Sequence, residues 1–195
     1  SVGALRRADE CLQEFHKTIE KHSVKKIRAV ATSAARDVKN REAFFEIGRR
    51  NAIPIEVISG EKEAQLTYEG MASGLSSTDG VVGVDIGGGS TEIVRRDDRG
   101  KVVGRSFDVG CVRLAEMFIT RNPVPEAESK ALREHSKKIF STFEFQKESI
   151  KKVIAVAGTP TTLACLDLNT EFKAEKIDGY VLSRKAIQSW ESKLA

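Results

Sequence analysis

Cysteine is scarce and badly placed for any collective role. The three residues, Cys11, Cys111 and Cys165, are odd in number and scattered without metal-ligand spacing. That excludes a disulfide framework and a zinc site, and it fits a reducing cytoplasm. Long apolar runs are missing too. The longest uncharged stretch, Val153 to Leu166, is too short to span a bilayer, and the N-terminus carries Arg6, Arg7, Asp9 and Glu10 where a signal peptide would carry an apolar core. No membrane segment is expected. Histidine is rare and isolated: His16, His22 and His135 fall in helical, charge-rich segments, which suits surface positions better than metal ligation.

What is present suits a globular protein. At 195 residues with 40% apolar content, the chain can bury a core as one large domain or two small lobes. A formal charge of +4 admits an anionic partner, while charged residues of both signs also describe an ordinary solvated surface. Trp190, Phe143 and Phe145 read as core residues.

Several segments repeat one pattern, a short Val/Ile/Ala run, a tight Gly/Ser/Thr/Pro loop and a helical stretch, as strand-to-helix units of an α/β fold do. Residues 27–31 form the first strand, with Thr32 or Ser33 capping a helix from about Ala34. Residues 54–58 form the second, closed by Ser59-Gly60 and followed by a helix to about Ser73; its strand should pair in parallel with the first. Residues 81–86 and 91–94 read as a hairpin around a glycine loop, and Lys101 to Phe107 as a third strand after the Asp97–Gly100 turn. Residues 80–195 should then form a lobe with a mixed sheet.

Residues 25–33 (KKIRAVATS) align without gaps with residues 151–159 (KKVIAVAGT). Shared composition or a duplicated lobe would both produce this. In the second case, both loops present helix N-termini to an anion across one cleft. The most linker-like stretch, Leu75 to Asp79, divides the chain into residues 1–78 and 79–195.

The most informative string is Asp85-Ile86-Gly87-Gly88-Gly89-Ser90-Thr91-Glu92. Three glycines permit positive φ angles and close approach of backbone N–H groups to phosphate oxygens, with the hydroxyls of Ser90 and Thr91 as further donors. Asp85 at the end of a buried strand is placed to hold a hard cation such as Mg²⁺. A tight hairpin with a buried Asp holding the turn would use the same residues.

Five strings in order resemble the motif set of the exopolyphosphatase and guanosine pentaphosphate phosphohydrolase (Ppx/GppA) family: residues 31–37 (ATSAARD), 58–64 (ISGEKEA), 85–92 (DIGGGSTE), 110–114 (GCVRL) and 157–162 (AGTPTT). The tail Ile177 to Ser183 also fits. The resemblance implies an α/β fold of two ribonuclease H-like (actin-like ATPase) lobes around a cleft. It implies Mg²⁺ or Mn²⁺ as cofactor and metal-dependent hydrolysis of phosphoanhydride bonds, with terminal phosphate released from inorganic polyphosphate. Within the same chemistry the substrate is instead guanosine pentaphosphate, and a non-catalytic module sensing guanosine penta- or tetraphosphate is the other reading. Neither a nucleic acid nor a membrane is an implied partner, and a homodimer is compatible.

The resemblance also implies roles. Glu63 matches the catalytic Glu that deprotonates the attacking water, although its local sequence alone favours a first-turn carboxylate stabilising the helix dipole. Arg36 matches an Arg that grips phosphate. Asp85 matches the metal-associated Asp and Glu92 a second carboxylate near the metal. Gly87, Gly88, Gly89 and Ser90 match the phosphate loop, and Gly158 and Thr159 a second-lobe loop for nucleotide or phosphate. The family begins with a hairpin carrying an Asp-x-Gly-Ser/Thr-Asn loop, which is absent before Ser1, so the first lobe is expected to lack its N-terminal strands and the chain as given to be inactive alone. Cys111, with no nearby His, reads as small-residue packing.

Overall fold

The computed structural model describes residues 2–38, 40–143 and 150–194. Phe145 lies outside them. The chain divides into two compact units, Ser1–Gly60 and Glu61–Ala195.

The first unit is built from α1 (Val2–Lys21), β1 (Ala29–Ala31), α2 (Ser33–Asp37), α3 (Arg41–Arg50) and β2 (Ile55–Val57). Leu5, Leu12 and Ile19 recur every seventh residue along α1, so they share one face, which packs with Ile47 of α3 and with Ile53, Ala29 and Ile55. Gly48 makes the α3 contact close: a Cβ there would lie 2.7 Å from the Ile53 carbonyl oxygen and 2.8 Å from the Ile55 side chain. β1 and β2 pair in parallel, Ala29 opposite Ile55 and Ala31 opposite Val57, as the strand–helix–strand order requires. Thr32 is the N-cap of α2, without a side-chain capping bond.

The second unit carries a four-stranded mixed sheet. Its strands β3 (Val81–Ile86), β4 (Thr91–Arg96), β5 (Val102–Phe107) and β6 (Lys152–Val156) lie in the order β5-β4-β3-β6. The first three form an antiparallel meander, and β6 joins β3 in parallel. The helices are α4 (Gly60–Ala72), α5 (Cys111–Phe118), α6 (Glu126–Phe140), α7 (Gly158–Asp167), α8 (Ala174–Ile177) and α9 (Arg184–Leu194).

Strand alternation sorts the sheet residues onto two faces. On one face Gly83, Val94 and Gly104 form a row across β3, β4 and β5, and Asp85, Glu92 and Ser106 form the next. The glycines leave room for α4, since a Cβ on Gly83 would sit 2.1 Å from the Met71 methyl. Ala64 and Tyr68 of α4 bury Val94, a contribution of roughly 2–3 kcal/mol for that side chain. On the opposite face Val82, Ile93 and Phe107 pack with Leu114 of α5, Ile139 and Phe140 of α6, and Phe143.

Because α4 packs on β4, the compact units part at Gly60, and the linker-like residues 75–79 fall inside the second unit. Trp190 is not a core residue. It is half-buried and donates from Nε1 to Asp167 (2.8 Å), which also accepts the Tyr180 hydroxyl (2.6 Å), so α9 and the α8–α9 loop are bonded to the end of α7. The repeated segments agree locally: β1 runs through Thr32 into α2, and β6 through Ala157 into α7, each strand beside a parallel neighbour.

Candidate active site

The register of the β3–β4 hairpin sets Asp85 directly opposite Glu92. Opposed side chains of an antiparallel pair lie on one face, where two like charges are destabilising. Glu92 is 1% exposed. Its Oε1 accepts a hydrogen bond from the Ser106 hydroxyl (2.5 Å), and the Ser90 hydroxyl also bonds to it. Asp85 Oδ2 accepts from Thr67 of α4 (3.2 Å). Burial pushes both carboxyls above their ordinary range, and the nearby charges of Glu63 and Asp85 push Glu92 further in the same direction. Three acidic side chains, Glu63, Asp85 and Glu92, thus share one electrostatic neighbourhood. The hydroxyls of Thr67, Ser106 and Ser90 donate to Asp85 and Glu92.

This donor set fits a hard cation. Desolvated carboxylates raised by like charge gain most from a positive ion, and oxygen ligands suit Mg²⁺ or Mn²⁺. Among the described residues no group of three or more His, Cys, Asp or Glu side chains closes a metal cage. Mg²⁺ does not need one, because it characteristically takes one or two carboxylates and completes its shell with water and phosphate oxygens.

Next to this pair, the glycine loop is held from behind. The N–H of Cys111 donates to the Gly87 carbonyl (3.1 Å), those of Val112 and Arg113 to the Gly88 carbonyl (2.9 and 3.0 Å), and the Arg113 Nε–H to the Gly89 carbonyl (2.7 Å). In a trans peptide the C=O and the following N–H point in opposite directions. The N–H groups of Gly88, Gly89 and Ser90 are therefore turned away from α5, and they meet no acceptor among the described residues. Three successive N–H groups of a turn, all turned away from α5, are an arrangement suited to an anion.

The loop corrects three expectations. Gly87, Gly88 and Gly89 do not use positive φ angles; the glycines that do are Gly80, Gly100 and Gly179. The loop closes by a Gly87 N–H to Ser90 carbonyl bond (3.0 Å), so ordinary backbone angles suffice and the missing side chains serve close approach. The hydroxyls of Ser90 and Thr91 do not face outward: both residues are buried, Ser90 turned to Glu92 and Thr91 donating to the Val109 carbonyl (2.6 Å). Cys111 does not pack either. Its side chain is exposed, and its backbone N–H makes the useful bond.

Glu63 lies in the first turn of α4, one turn before Thr67, and so on the same helix face as the Asp85 contact. Gly158 is the first residue of α7 and Thr159 the second. A Cβ on Gly158 would meet no heavy atom within 4 Å, so packing does not require glycine there. The residue before it, Ala157, is held at φ 74° and ψ −170°, a region essentially reserved for glycine. Arg36 belongs to the first unit, where its Nη1 donates to the Ile58 carbonyl (2.9 Å). Thr67 and Ser106 were not legible as site residues. The only signals for them were the i, i+4 spacing from Glu63 and the register of β5 against β4.

The three histidines stay apart from this site. His16 pairs with Glu20 (3.3 Å), the His135 ring packs against Phe118 at a tilt of 54°, and His22 is exposed. No described helix is long and apolar enough to cross a membrane.

The fold is thus an α/β unit with a mixed sheet, its hairpin loop backed by a helix N-terminus and flanked by the buried Glu92 and the half-buried Asp85. The family model of the Ppx/GppA phosphatase family matches residues 2–195, and the chain belongs to that family. It is 36% identical over 174 residues to exopolyphosphatase 2 of Mycobacterium tuberculosis, covering 84% of this chain and 54% of that protein. Among solved structures it is similar to the Ppx/GppA enzyme of Aquifex aeolicus, at 34% identity and a TM-score of 0.78 over 97% of this chain and 63% of that one. It is also similar to an exopolyphosphatase from Cytophaga hutchinsonii, at 25% identity and a TM-score of 0.85 over 99% of this chain and 64% of that one. The chain spans little more than half of the Mycobacterium relative.

Proposed function

We propose that this chain forms the catalytic-residue-bearing part of a metal-dependent hydrolase that releases terminal phosphate from inorganic polyphosphate. The observation that carries the reading is the coincidence, on one hairpin, of two opposed carboxylates, Glu92 buried and Asp85 half-buried, and three successive backbone N–H groups without an acceptor among the described residues. An anion donor set and a cation ligand set side by side match a phosphate chain with its counter-ion. The family membership and an exopolyphosphatase relative support the same class of chemistry. The local repeat of strand, loop and helix supports the finer reading of two ribonuclease H-like lobes.

Water must attack a terminal phosphorus already surrounded by negative oxygens. The N–H groups of Gly88, Gly89 and Ser90 bind those oxygens without adding bulk, and Gly158 and Thr159 at the start of α7 offer further donors to the chain. A divalent cation held by Asp85, with Glu92 near its water shell, supplies neutralisation of the phosphate charge when bound. Glu63 holds the attacking water and accepts its proton. Arg36 carries over as a phosphate contact.

The test is binding of polyphosphate to this chain by calorimetry in Mg²⁺, with orthophosphate release by the complete enzyme followed in parallel and guanosine pentaphosphate as the competing substrate. Binding that requires the divalent ion, and a release rate higher for polyphosphate, is expected. A folded chain that does not bind polyphosphate, with a complete enzyme that does not cleave it, would sink the proposal, and faster release from guanosine pentaphosphate would reassign the substrate.

A further inference from the structure

We propose that Arg113 is a positioning residue. It does not touch phosphate but orients the glycine loop by drawing the Gly89 carbonyl back toward α5. This rests on the reading of that loop as a phosphate cradle. The Nε–H of Arg113 donates to Gly89 O at 2.7 Å, and its side chain is 29% exposed. Its Nη2 lies 4.0 Å from Asp108, whose side chain is 82% exposed, too remote and too solvated to fix the guanidinium. The contact that a positioning role uses is the short Nε–H bond to the loop.

The peptide between Gly89 and Ser90 has no side chain on Gly89 to restrain it. A flip of that plane would send the carbonyl outward, where its negative end would repel phosphate, and would bury the Ser90 N–H. The backbone N–H groups of α5 pin the two preceding carbonyls, so Arg113 completes the set with the one bond they do not supply. Gly110 lets α5 come this close: a Cβ there would lie 2.4 Å from the Gly88 carbonyl oxygen.

The atom that bonds decides the test. Gln carries Nε2 on Cδ, at the position of the Arg Nε, and so keeps the donor while losing the charge. Lys keeps the charge but places its nitrogen one atom farther out, and Leu keeps neither. For a positioning role Arg113→Gln should bind polyphosphate within about threefold of wild type, with Arg113→Lys weaker and Arg113→Leu weaker by about tenfold or more, the scale of one charge-assisted hydrogen bond. The salt dependence of binding should be the same in all, because no phosphate contact has been removed.

Amide hydrogen exchange in the ligand-free chain at Gly87, Cys111 and Val112, whose N–H groups are bonded to the Ser90, Gly87 and Gly88 carbonyls, reads the loop's attachment and should quicken in the order Gln, Lys, Leu. If Lys behaves as wild type while Gln fails and the salt dependence shrinks, Arg113 is a direct phosphate ligand and the proposal is overturned. Equal exchange in all variants overturns it as well. Should Arg113→Leu fail to fold, the Gln and Lys variants still decide by their order. A wild-type chain that shows the exchange order but no polyphosphate binding would keep the positioning role and remove the phosphate reading instead.

Discussion

Replacing Gly158 by alanine separates a structural from a functional reason for that glycine, because the two predict opposite signs. Gly158 opens α7, its φ is not in the left-handed region, and its missing Cβ faces open space. Nothing in the fold resists a methyl group there. Alanine favours helix over glycine by up to about 1 kcal/mol in a helix interior, and at the first position roughly half of that is expected. In a domain of this size that shifts the melting temperature up by about 1–2 °C. Phosphate bound to the first N–H groups of α7 would meet the same methyl. Losing one or two charge-assisted hydrogen bonds costs about 1.5–3 kcal/mol each, which weakens binding by roughly tenfold or more. The assay is a thermal melt beside a calorimetric titration with polyphosphate in Mg²⁺. Unchanged affinity in a folded Gly158→Ala chain would refute the placement of phosphate at α7.

Three further outcomes follow from the same geometry. Glu63→Gln should lower turnover in a complete enzyme by roughly 10²- to 10⁴-fold while leaving polyphosphate binding largely intact, so near-normal phosphate release would remove its role as base. Ala157→Gly relieves a backbone strain of about 1–3 kcal/mol and adds back roughly 0.5–1 kcal/mol of chain entropy, so the melting temperature should rise; a fall would contradict the strain argument. Asp85 and Glu92 are raised above their ordinary 3.8 and 4.5, so in metal-free protein their contribution to stability is full below those values and is lost as pH rises through the folded ones. Melting in chelator should therefore weaken as pH rises above those ordinary values, Glu92→Gln should flatten the profile, and excess Mg²⁺ should reverse it; a profile insensitive to Glu92→Gln would show that the pair is not coupled to folding.

Strand order was legible wherever punctuation was strong. The Asp97–Gly100 turn, the glycine loop and the parallel pairing of β1 with β2 all follow from local chemistry and connection length. The acidic pair was legible as two motif residues, but their opposition depends on register, and so does the Ser106 contact. The hydroxyls of Ser90 and Thr91 were misread because composition does not say which face of a strand looks inward. The part played by residues 110–113 was invisible for a different reason. Their bonds are made by backbone N–H groups and one side-chain nitrogen acting on carbonyls more than twenty residues away, and no propensity encodes that.

The order of the sheet also bears on how the protein folds. β3, β4 and β5 follow one another along residues 81–107, whereas β6 must cross residues 87–151 before it can lie against β3. Closing that longer loop costs about 2–3 kcal/mol more chain entropy than closing the hairpin. The meander can therefore form first, already carrying Asp85, Glu92 and the glycine loop, with β6 and the start of α7 added late. Until then β3 presents an unpaired edge, and a slow or weakened docking of β6 would leave that edge to pair with another chain.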